Sequence, residues 1–290
     1  MNNSYTLLPE NIVFNIDEHF PQLKDPTKKV AIFLSGGMES TLVAKIAQQV
    51  YKPENILYFF NCNMFTKDPV NFEYLRTNNK ISKLNLGIET INIEIDPDLH
   101  LSDRVTSLNQ LRDQLINDYD VEFMMWGFTK LFFQVEIFKR QCKTNDDVYA
   151  VAYSDVNEYH NLIEEIHFPT KAYESLLWDI FIPPEVFEFI HANTEFVRAP
   201  LDTINKPEVV DLYKQLGWLD LLAKTTSCSN KAITTTGKHC GDCFNCQQRH
   251  DAFKINGTVE DQTEYISDSV SIKRKQLEDI MKNDPIYNKN

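Results

Sequence analysis

Between Val30 and Val50 an apolar run passes through Ser-Gly-Gly straight into an amphipathic helical pattern, and few backbone arrangements satisfy that order. Val30, Ala31, Ile32, Phe33 and Leu34 read as a buried parallel strand, while Leu42, Val43, Ile46, Ala47 and Val50 recur at helical spacing. Ser35, Gly36 and Gly37 therefore stand at the start of a helix. A helix start offers unpaired backbone N–H groups and the positive end of the macrodipole, and glycine lets a phosphate approach the backbone with no side chain in the way. The expected ligand is a phosphate chain, with an ordinary glycine turn between strand and helix as the competing reading. The turn is not a Walker A loop, which needs a Lys before its Ser or Thr, nor a G-x-G-x-x-G dinucleotide fingerprint.

Further apolar runs at 55–60, 89–95, 148–153 and 195–198 read as strands separated by helical patterns. That alternation predicts an α/β fold with a parallel, Rossmann-like sheet. Ligands of such sheets bind beyond the carboxyl ends of the strands, where the strand order switches, and the Ser-Gly-Gly turn ends the first strand. The stretch 116–141 carries many aromatics at helical spacing and reads as core or subunit interface rather than a cofactor box. Residues 173–191 read as helix, break at Pro183-Pro184, helix. The expected organisation is an N-terminal extension at 1–28, an α/β domain carrying the phosphate turn at 29–225, a cysteine-bearing segment at 226–262 packed on that domain, and a polar tail at 263–290. No internal repeat occurs.

Four of the six cysteines, Cys228, Cys240, Cys243 and Cys246, fall in one segment with the spacing C-x11-C-x2-C-x2-C. Two residues between cysteines let one turn present both thiolates to a single ion, and four thiolates complete a closed tetrahedral zinc shell. A closed shell leaves no position for water or substrate, so the zinc reads as structural. A disulfide set, an iron-sulfur cluster, and His239 or His250 in place of one thiol are the competing readings. The first residues show no secretory leader, so a reducing cytoplasm is expected and disulfides are disfavoured. Cys62 and Cys142 have no partner at metal spacing and read as buried small hydrophobes.

Ser35-Gly36-Gly37-Met38-Glu39-Ser40 resembles the S-G-G-x-D-S PP-loop of ATP pyrophosphatases, with Glu39 in place of Asp. Taken with the cysteines, the chain resembles the 7-cyano-7-deazaguanine synthase (QueC) family of that class. Phe196 to Leu201 resemble its strand ending in A-P-L, and Lys206-Pro207-Glu208-Val209 its K-x-E-[IV] helix start. Thr226, Ser227 and Cys228 resemble its T-x-S-C segment, and Cys240 to Arg249 its C-G-x-C-x-x-C-x-x-R. The chain departs in the middle. The family's V-P-G-R-N segment is missing, the second strand ends in Phe60, Asn61, Cys62, Asn63 and Met64, and Asp155 with Tyr159 gives only a loose match to G-x-x-x-D-x-x-x-Y.

The resemblance implies an enzyme that joins 7-carboxy-7-deazaguanine and ammonia at the expense of ATP, with Mg2+ on the phosphates, structural Zn2+ on the four cysteines, and a homodimeric assembly. It implies ATP binding by Leu34, Ser35, Gly36, Gly37, Met38, Glu39, Ser40 and Thr41. Ser35, Glu39 and Ser40 are expected to carry the chemistry, Ser35 and Ser40 as donors to pyrophosphate and Glu39 as an orienter of Mg2+ or of the loop. Asp155, Arg198 and Lys206 are the candidates for contacting substrate, each against the alternative of a turn cap or a solvated charge. Arg249 reads as a brace for the cysteine loop, with a reach into the active site as the alternative. A ligase with another carboxylate or amine acceptor is the second expectation, and a catalytically silent nucleotide-binding relative the third.

Charge and hydropathy narrow the partners. With 29 basic against 42 acidic residues the net charge is -13, which lacks the broad basic footprint of a nucleic-acid-gripping protein and favours a free small molecule. No apolar run reaches the length of a membrane span. Scattered histidines without H-x-x-x-H or Ser/His/Asp order give no hydrolytic site.

Overall fold

The computed structural model describes residues 3–60, 73–93, 103–130, 189–230, 232–241 and 243–266. Among these, five strands form one parallel sheet: β3 (Lys29–Phe33), β4 (Ile56–Phe60), β5 (Ile91–Asn92), β6 (Val121–Met125) and β7 (Val197–Arg198), in the order β5-β4-β3-β6-β7. The chain runs outward from β3 to β5, then crosses back to β6 on the other side of β3. The switch in strand order therefore lies beside β3, the strand that ends in Ser-Gly-Gly. The expected α/β parallel architecture is borne out.

Both faces of β3 are covered, which is why its sequence lacks alternation. Val30 and Ile32 enter one core with Leu42, Val43 and Ile46, while Ala31 and Phe33 enter a second core with Phe59, Met124 and Trp126. The first core lies under α2 (Met38–Val50), whose side chains from Ser40 to Ala44 are all buried. Each fully buried Val, Leu or Ile here contributes about 1.5–3 kcal/mol relative to exposure. The second core is closed by α4 (Arg104–Tyr119) through Leu108, Leu111 and Leu115. Between β4 and β5 runs α3 (Glu73–Leu86).

One element corrects the sequence reading. The aromatic stretch taken as helical from residue 116 contains β6, which pairs in parallel with β3 through Val30↔Phe123, Ala31↔Met124 and Ile32↔Met125. Val121, Phe123, Met124 and Met125 are all buried because the strand is sandwiched between two layers, so over Val121–Met125 the core reading holds and the helical one fails, while residues 116–119 end α4 and 131–141 lie outside the described residues. The strand expected at 148–153, the broken helix at 173–188, Cys62, Cys142 and Asp155 lie outside the described residues.

Of the expected extension at 1–28, the described residues 3–28 pack on the same core. β1 (Ser4–Leu7) and β2 (Ile12–Asn15) form an antiparallel hairpin followed by the short α1 (Ile16–His19). Leu7, Phe14, Ile16 and Phe20 are buried in the core beneath α2. The hairpin is fastened to α5 (Lys206–Gln215), where Asp211 accepts from the Leu8 N–H at 3.0 Å and Gln215 donates to the Thr6 carbonyl at 2.7 Å. After α5 come α6 (Leu219–Ala223), α7 (Ala232–Thr236) and α8 (Phe244–Asn256). No helix among the described residues is long and apolar enough to cross a membrane.

Candidate functional site

At the carboxyl end of β3 the backbone turns through Gly36, which takes φ +93, and Gly37 caps α2. A side chain at Gly36 is excluded twice over. Its φ lies where L-residues are strained, and a Cβ would meet the Asn78 backbone carbon and oxygen at 2.3 Å. Gly37 has an ordinary φ of -67, and a Cβ there would meet only the Glu39 Oε2 at 3.2 Å and the Ser35 Oγ at 3.6 Å. Thus Gly36 serves the fold, whereas Gly37 has an unstrained backbone and, among the described residues, its Cβ would meet only side chains of its own turn. The first turn of α2 carries N–H groups without intrahelical acceptors.

The two serines of the turn hold each other. Their hydroxyl oxygens are 2.9 Å apart, Ser40 Oγ accepts from the Ser35 N–H at 3.2 Å, and Ser35 Oγ accepts from the Gly37 N–H at 3.4 Å. Ser35 is exposed and Ser40 buried, so Ser35 faces solvent while Ser40 stiffens the turn from beneath. Gly127, just after β6, presses on the same turn. A Cβ at Gly127 would sit 2.6 Å from the Ser40 nitrogen, so only glycine lets the chain leaving β6 cross the start of α2.

Glu39 is paired. Its Oε1 lies 3.0 Å from Lys206 Nζ, with the two side chains only 16% and 18% exposed, and Lys206 Nζ also donates to Gln248 Oε1 at 2.6 Å. Lys206 opens α5 and Gln248 lies in α8, so Glu39 and Gln248 meet on Lys206 and link the starts of α2 and α5 to the helix that carries Cys246. The pair places the Glu39 carboxylate against a lysine ammonium at the edge of the Ser-Gly-Gly turn. A Pro at the second position of α5 and a capping box between Asn205 and Glu208 fix where that lysine stands.

The α3 helix runs from the turn to the cysteines along one face. Tyr74, Asn78 and Ser82, spaced i, i+4 and i+8, point the same way. Ser82 Oγ lies 2.7 Å from Thr41 Oγ1 in the first turn of α2. Asn78 abuts Gly36 and donates from Nδ2 to the Cys228 carbonyl at 3.0 Å. Tyr74 packs against the cysteine cluster, which raises its hydroxyl pKa by burial and by the nearby Cys243. Its neighbour Asn79 donates to the Leu34 carbonyl at 2.8 Å, which tethers the end of the strand segment. Asn78 Oδ1 is buried with no hydrogen-bond partner among the described residues, an arrangement that costs about 1–3 kcal/mol.

The four cysteine sulfurs lie within 4.8 Å of one another, with Cys240 and Cys246 sulfurs 3.9 Å apart. Four thiolates around one tetrahedral ion at ~2.3 Å stand about 3.8 Å apart, so the donor set fits a single metal ion. An iron-sulfur cluster sets its own irons and sulfides between the thiolates and needs them farther apart. Cys243 caps α8 and Cys246 lies in its first turn, where the helix dipole favours thiolate. Backbone N–H groups of Ser229, Cys240 and Cys243 donate to the Cys243, Cys228 and Cys240 sulfurs at 3.2–3.4 Å. Hydrogen bonding to Cys243 and burial push the Cys228 thiol up to about 11, while contact with Cys228 and Cys246 holds Cys243 far below its ordinary value. No disulfide joins the four. His239 and His250 are not among the four clustered ligands. His239 Nε2 instead accepts from the Ser227 N–H at 3.0 Å, and burial lowers its pKa to about 4.

Arg249 is fully buried and braces this region. It donates to Thr263 Oγ1 at 2.6 Å, Thr225 Oγ1 at 2.7 Å and the Leu222 carbonyl at 2.8 Å. The structure thus brings Leu34 to Thr41 together with Lys206, and sets the cysteine cluster behind them across α3. Arg198 makes no hydrogen bond or ion pair with the turn among the described residues. Its charge acts on Tyr51, the residue that closes α2, and its Nε is buried without a partner. Gly127, Asn78, Asn79 and Gln248 went unread in the sequence. A glycine after an apolar run and two adjacent asparagines in a helical pattern are the only signals they give.

The comparisons with known proteins agree with the resemblance read from the sequence. The family model described as "Queuosine biosynthesis protein QueC" matches residues 185–257, the stretch that holds Lys206 and all four clustered cysteines. The curated 7-cyano-7-deazaguanine synthase of Rickettsia conorii is 26% identical over 247 residues, which cover 82% of this chain and 99% of that protein. The one from Methanococcus maripaludis is 34% identical over 93 residues, 29% of this chain and 39% of that protein. Among solved structures, the U34-tRNA thiolase NcsA from Methanococcus maripaludis with its 4Fe-4S cluster is similar at 13% identity and a TM-score of 0.37, covering 88% of this chain and 82% of that one. That likeness is too slight to argue from.

Proposed function

We propose that this QueC-like chain is an ATP-dependent ligase that converts 7-carboxy-7-deazaguanine and ammonia to 7-cyano-7-deazaguanine. The observation that carries the reading is the phosphate turn at the strand-order switch, joined by α3 and Thr226 to a four-cysteine metal site in the segment matched by the family model. In the proposed reaction the substrate carboxylate attacks the α-phosphorus of ATP and pyrophosphate leaves, giving an acyl-adenylate. Ammonia then adds to the acyl carbon, and AMP departs with loss of a proton to leave the amide. A second ATP activates the amide oxygen in the same way, and departure of AMP with two protons yields the nitrile.

The chain's share of this chemistry is electrostatic and positional. N–H groups at the start of α2 and the exposed Ser35 hydroxyl face the leaving pyrophosphate, and Ser40 keeps the turn rigid. Lys206 supplies positive charge at its edge, with Glu39 and Gln248 fixing where the ammonium stands. Mg2+, bound to the phosphates, would neutralise part of their charge. The cysteines would hold zinc, which supplies local folding energy and leaves the chemistry to the turn. Leu34, Gly36, Gly37, Met38 and Thr41 complete the nucleotide site, and Asp155 and Arg198 are proposed only as acceptor contacts.

The test is a mass-spectrometric assay of the zinc-loaded protein with MgATP, ammonium and 7-carboxy-7-deazaguanine. The nitrile with AMP and pyrophosphate is the expected outcome. AMP and amide without nitrile would point to a single activation, and no ATP consumption would sink the reading. One observation favours a second reading, a ligase of the same kind with another carboxylate or amine acceptor: the V-P-G-R-N segment of the family is missing from this sequence.

A further inference from the structure

The phosphate turn and the cysteine cluster are usually separate concerns, one binding nucleotide and the other holding a loop. Here two direct links connect them. The Gly36 carbonyl accepts from the Thr226 N–H at 3.2 Å and from its hydroxyl at 3.4 Å, and Thr226 stands two residues before the ligand Cys228. On the other side Asn78 donates to the Cys228 carbonyl at 3.0 Å while its backbone fills the space where a Gly36 side chain would lie. Gly36, Thr226, Cys228 and Asn78 thus close a ring of contacts around the turn. The α3 face that carries Asn78 extends in both directions, to the cluster through Tyr74 and to α2 through Ser82.

The ring matters because its members have unequal support. Gly36 sits at a positive φ that its neighbours must impose, while Cys228 belongs to a small cluster whose buried residues are three cysteines and Ile233. When an ion draws the four sulfurs together, the Cys228 carbonyl and the Thr226 amide are set in place, and they in turn fix the Gly36 peptide. We propose that Asn78 and Thr226 are positioning residues that make the phosphate turn depend on the filled cysteine cluster, so that the metal and MgATP bind cooperatively. This rests on the reading of the turn as the ATP phosphate site. Coupling between two sites is reciprocal, so a metal that helps ATP bind must itself be held more tightly once ATP is bound.

The reciprocal effect gives a readout other than activity. Zinc-loaded protein is mixed with a chromophoric chelator, with and without the α,β-methylene analogue of ATP, and with magnesium in excess so that the nucleotide does not strip the zinc itself. The expected result is that nucleotide slows zinc release about fivefold or more. In Asn78→Ala/Thr226→Val the ratio of the two release rates should fall toward one, and Thr226→Ser, which keeps the hydroxyl, should preserve it. Calorimetry of the same samples separates the possible failures. If the analogue binds and zinc release is unchanged in the unmodified protein, the coupling is overturned and the phosphate reading stands. If the analogue does not bind at all, the phosphate reading fails and the coupling with it.

Discussion

The Ser-Gly-Gly turn, proposed as the phosphate site, and the cysteine cluster are both built from short polar segments, yet they are ordered by opposite means. The turn hangs between a strand buried on both faces and a helix whose first residues are buried, so packing sets its frame, and only the Gly36 peptide also leans on the cysteine segment through Thr226. The cluster lies between two helices with Ile233 as the one buried apolar residue besides its cysteines among the described residues, and its sulfurs have a reason to converge only if a cation sits between them. One site is preorganised by the fold and the other organises its part of the fold. Removing a ligand group should therefore unravel the second and merely empty the first.

The largest effect is expected at the cysteines. Cys243→Ser should remove the metal, and because apparent zinc-binding energies of about 10–16 kcal/mol act as folding energy, the segment from Thr226 to Ile266 should lose order. Metal content by atomic absorption and amide exchange across the segment check this. If the variant keeps full metal content, the closed four-sulfur site is wrong.

Next in size is Gly36→Ala. A methyl group 2.3 Å from the Asn78 carbonyl at φ +93 should cost about 3 kcal/mol or more, from both overpacking and backbone strain. Gly37→Ala makes the contrast. Its backbone is unstrained and its nearest contact is the carboxylate end of Glu39, so stability should change by about 1 kcal/mol or less while ATP binding is lost. Thermal melts and calorimetry on the two variants separate the glycine that the fold needs from the one that the phosphate needs. Normal ATP affinity in Gly37→Ala would break the phosphate-site side of the comparison.

The sequence revealed these two sites unequally well in relation to their surroundings. β3 falls within one residue of its expected bounds because a buried run ending in Ser-Gly-Gly has few alternatives, and the cysteines announce themselves by spacing. β6 was hidden because a parallel strand buried on both sides shows no period-2 pattern, and Val121 to Trp126 then look like any apolar run. The partnership of Glu39 with Lys206 joins residues far apart in the chain, and no local pattern encodes it. Gly127 and Asn78 matter for how closely two backbones approach α2, which is legible only once the sheet has placed them.

A smaller effect is expected from Lys206→Met, which strips the cation from the edge of the turn and leaves Glu39 unpaired. For a pair this far from solvent the cost should fall between the values for surface and buried pairs, about 1–3 kcal/mol, with ATP affinity falling about tenfold. Titration calorimetry and denaturant melts measure the two parts. Unchanged affinity would mean that Lys206 is a purely structural link between α2, α5 and α8.

The smallest effect concerns the cap that places this lysine. Glu208 is 1% exposed and accepts from the Asn205 N–H at 3.0 Å, and burial, aided by the charge of Glu10, pushes its carboxyl up to about 7 from an ordinary 4.5. A raised carboxyl pKa means that the folded protein binds this proton more tightly than the unfolded chain. The associated stability is therefore fully present below pH 4.5 and is lost as pH rises through 7, with a slope of at most about 1.4 kcal/mol per pH unit. Glu208→Gln keeps an acceptor for the Asn205 N–H and cannot ionise. Denaturant melts in the range from pH 5 to pH 8 should accordingly show variant and parent nearly equal at the acid end, with the variant gaining as pH rises. A difference that stays constant across that range would mean that Glu208 does not titrate there. Because the same cap fixes Lys206, ATP affinity measured in the same buffers should drift downward in the parent as Glu208 ionises, and stay level in the variant.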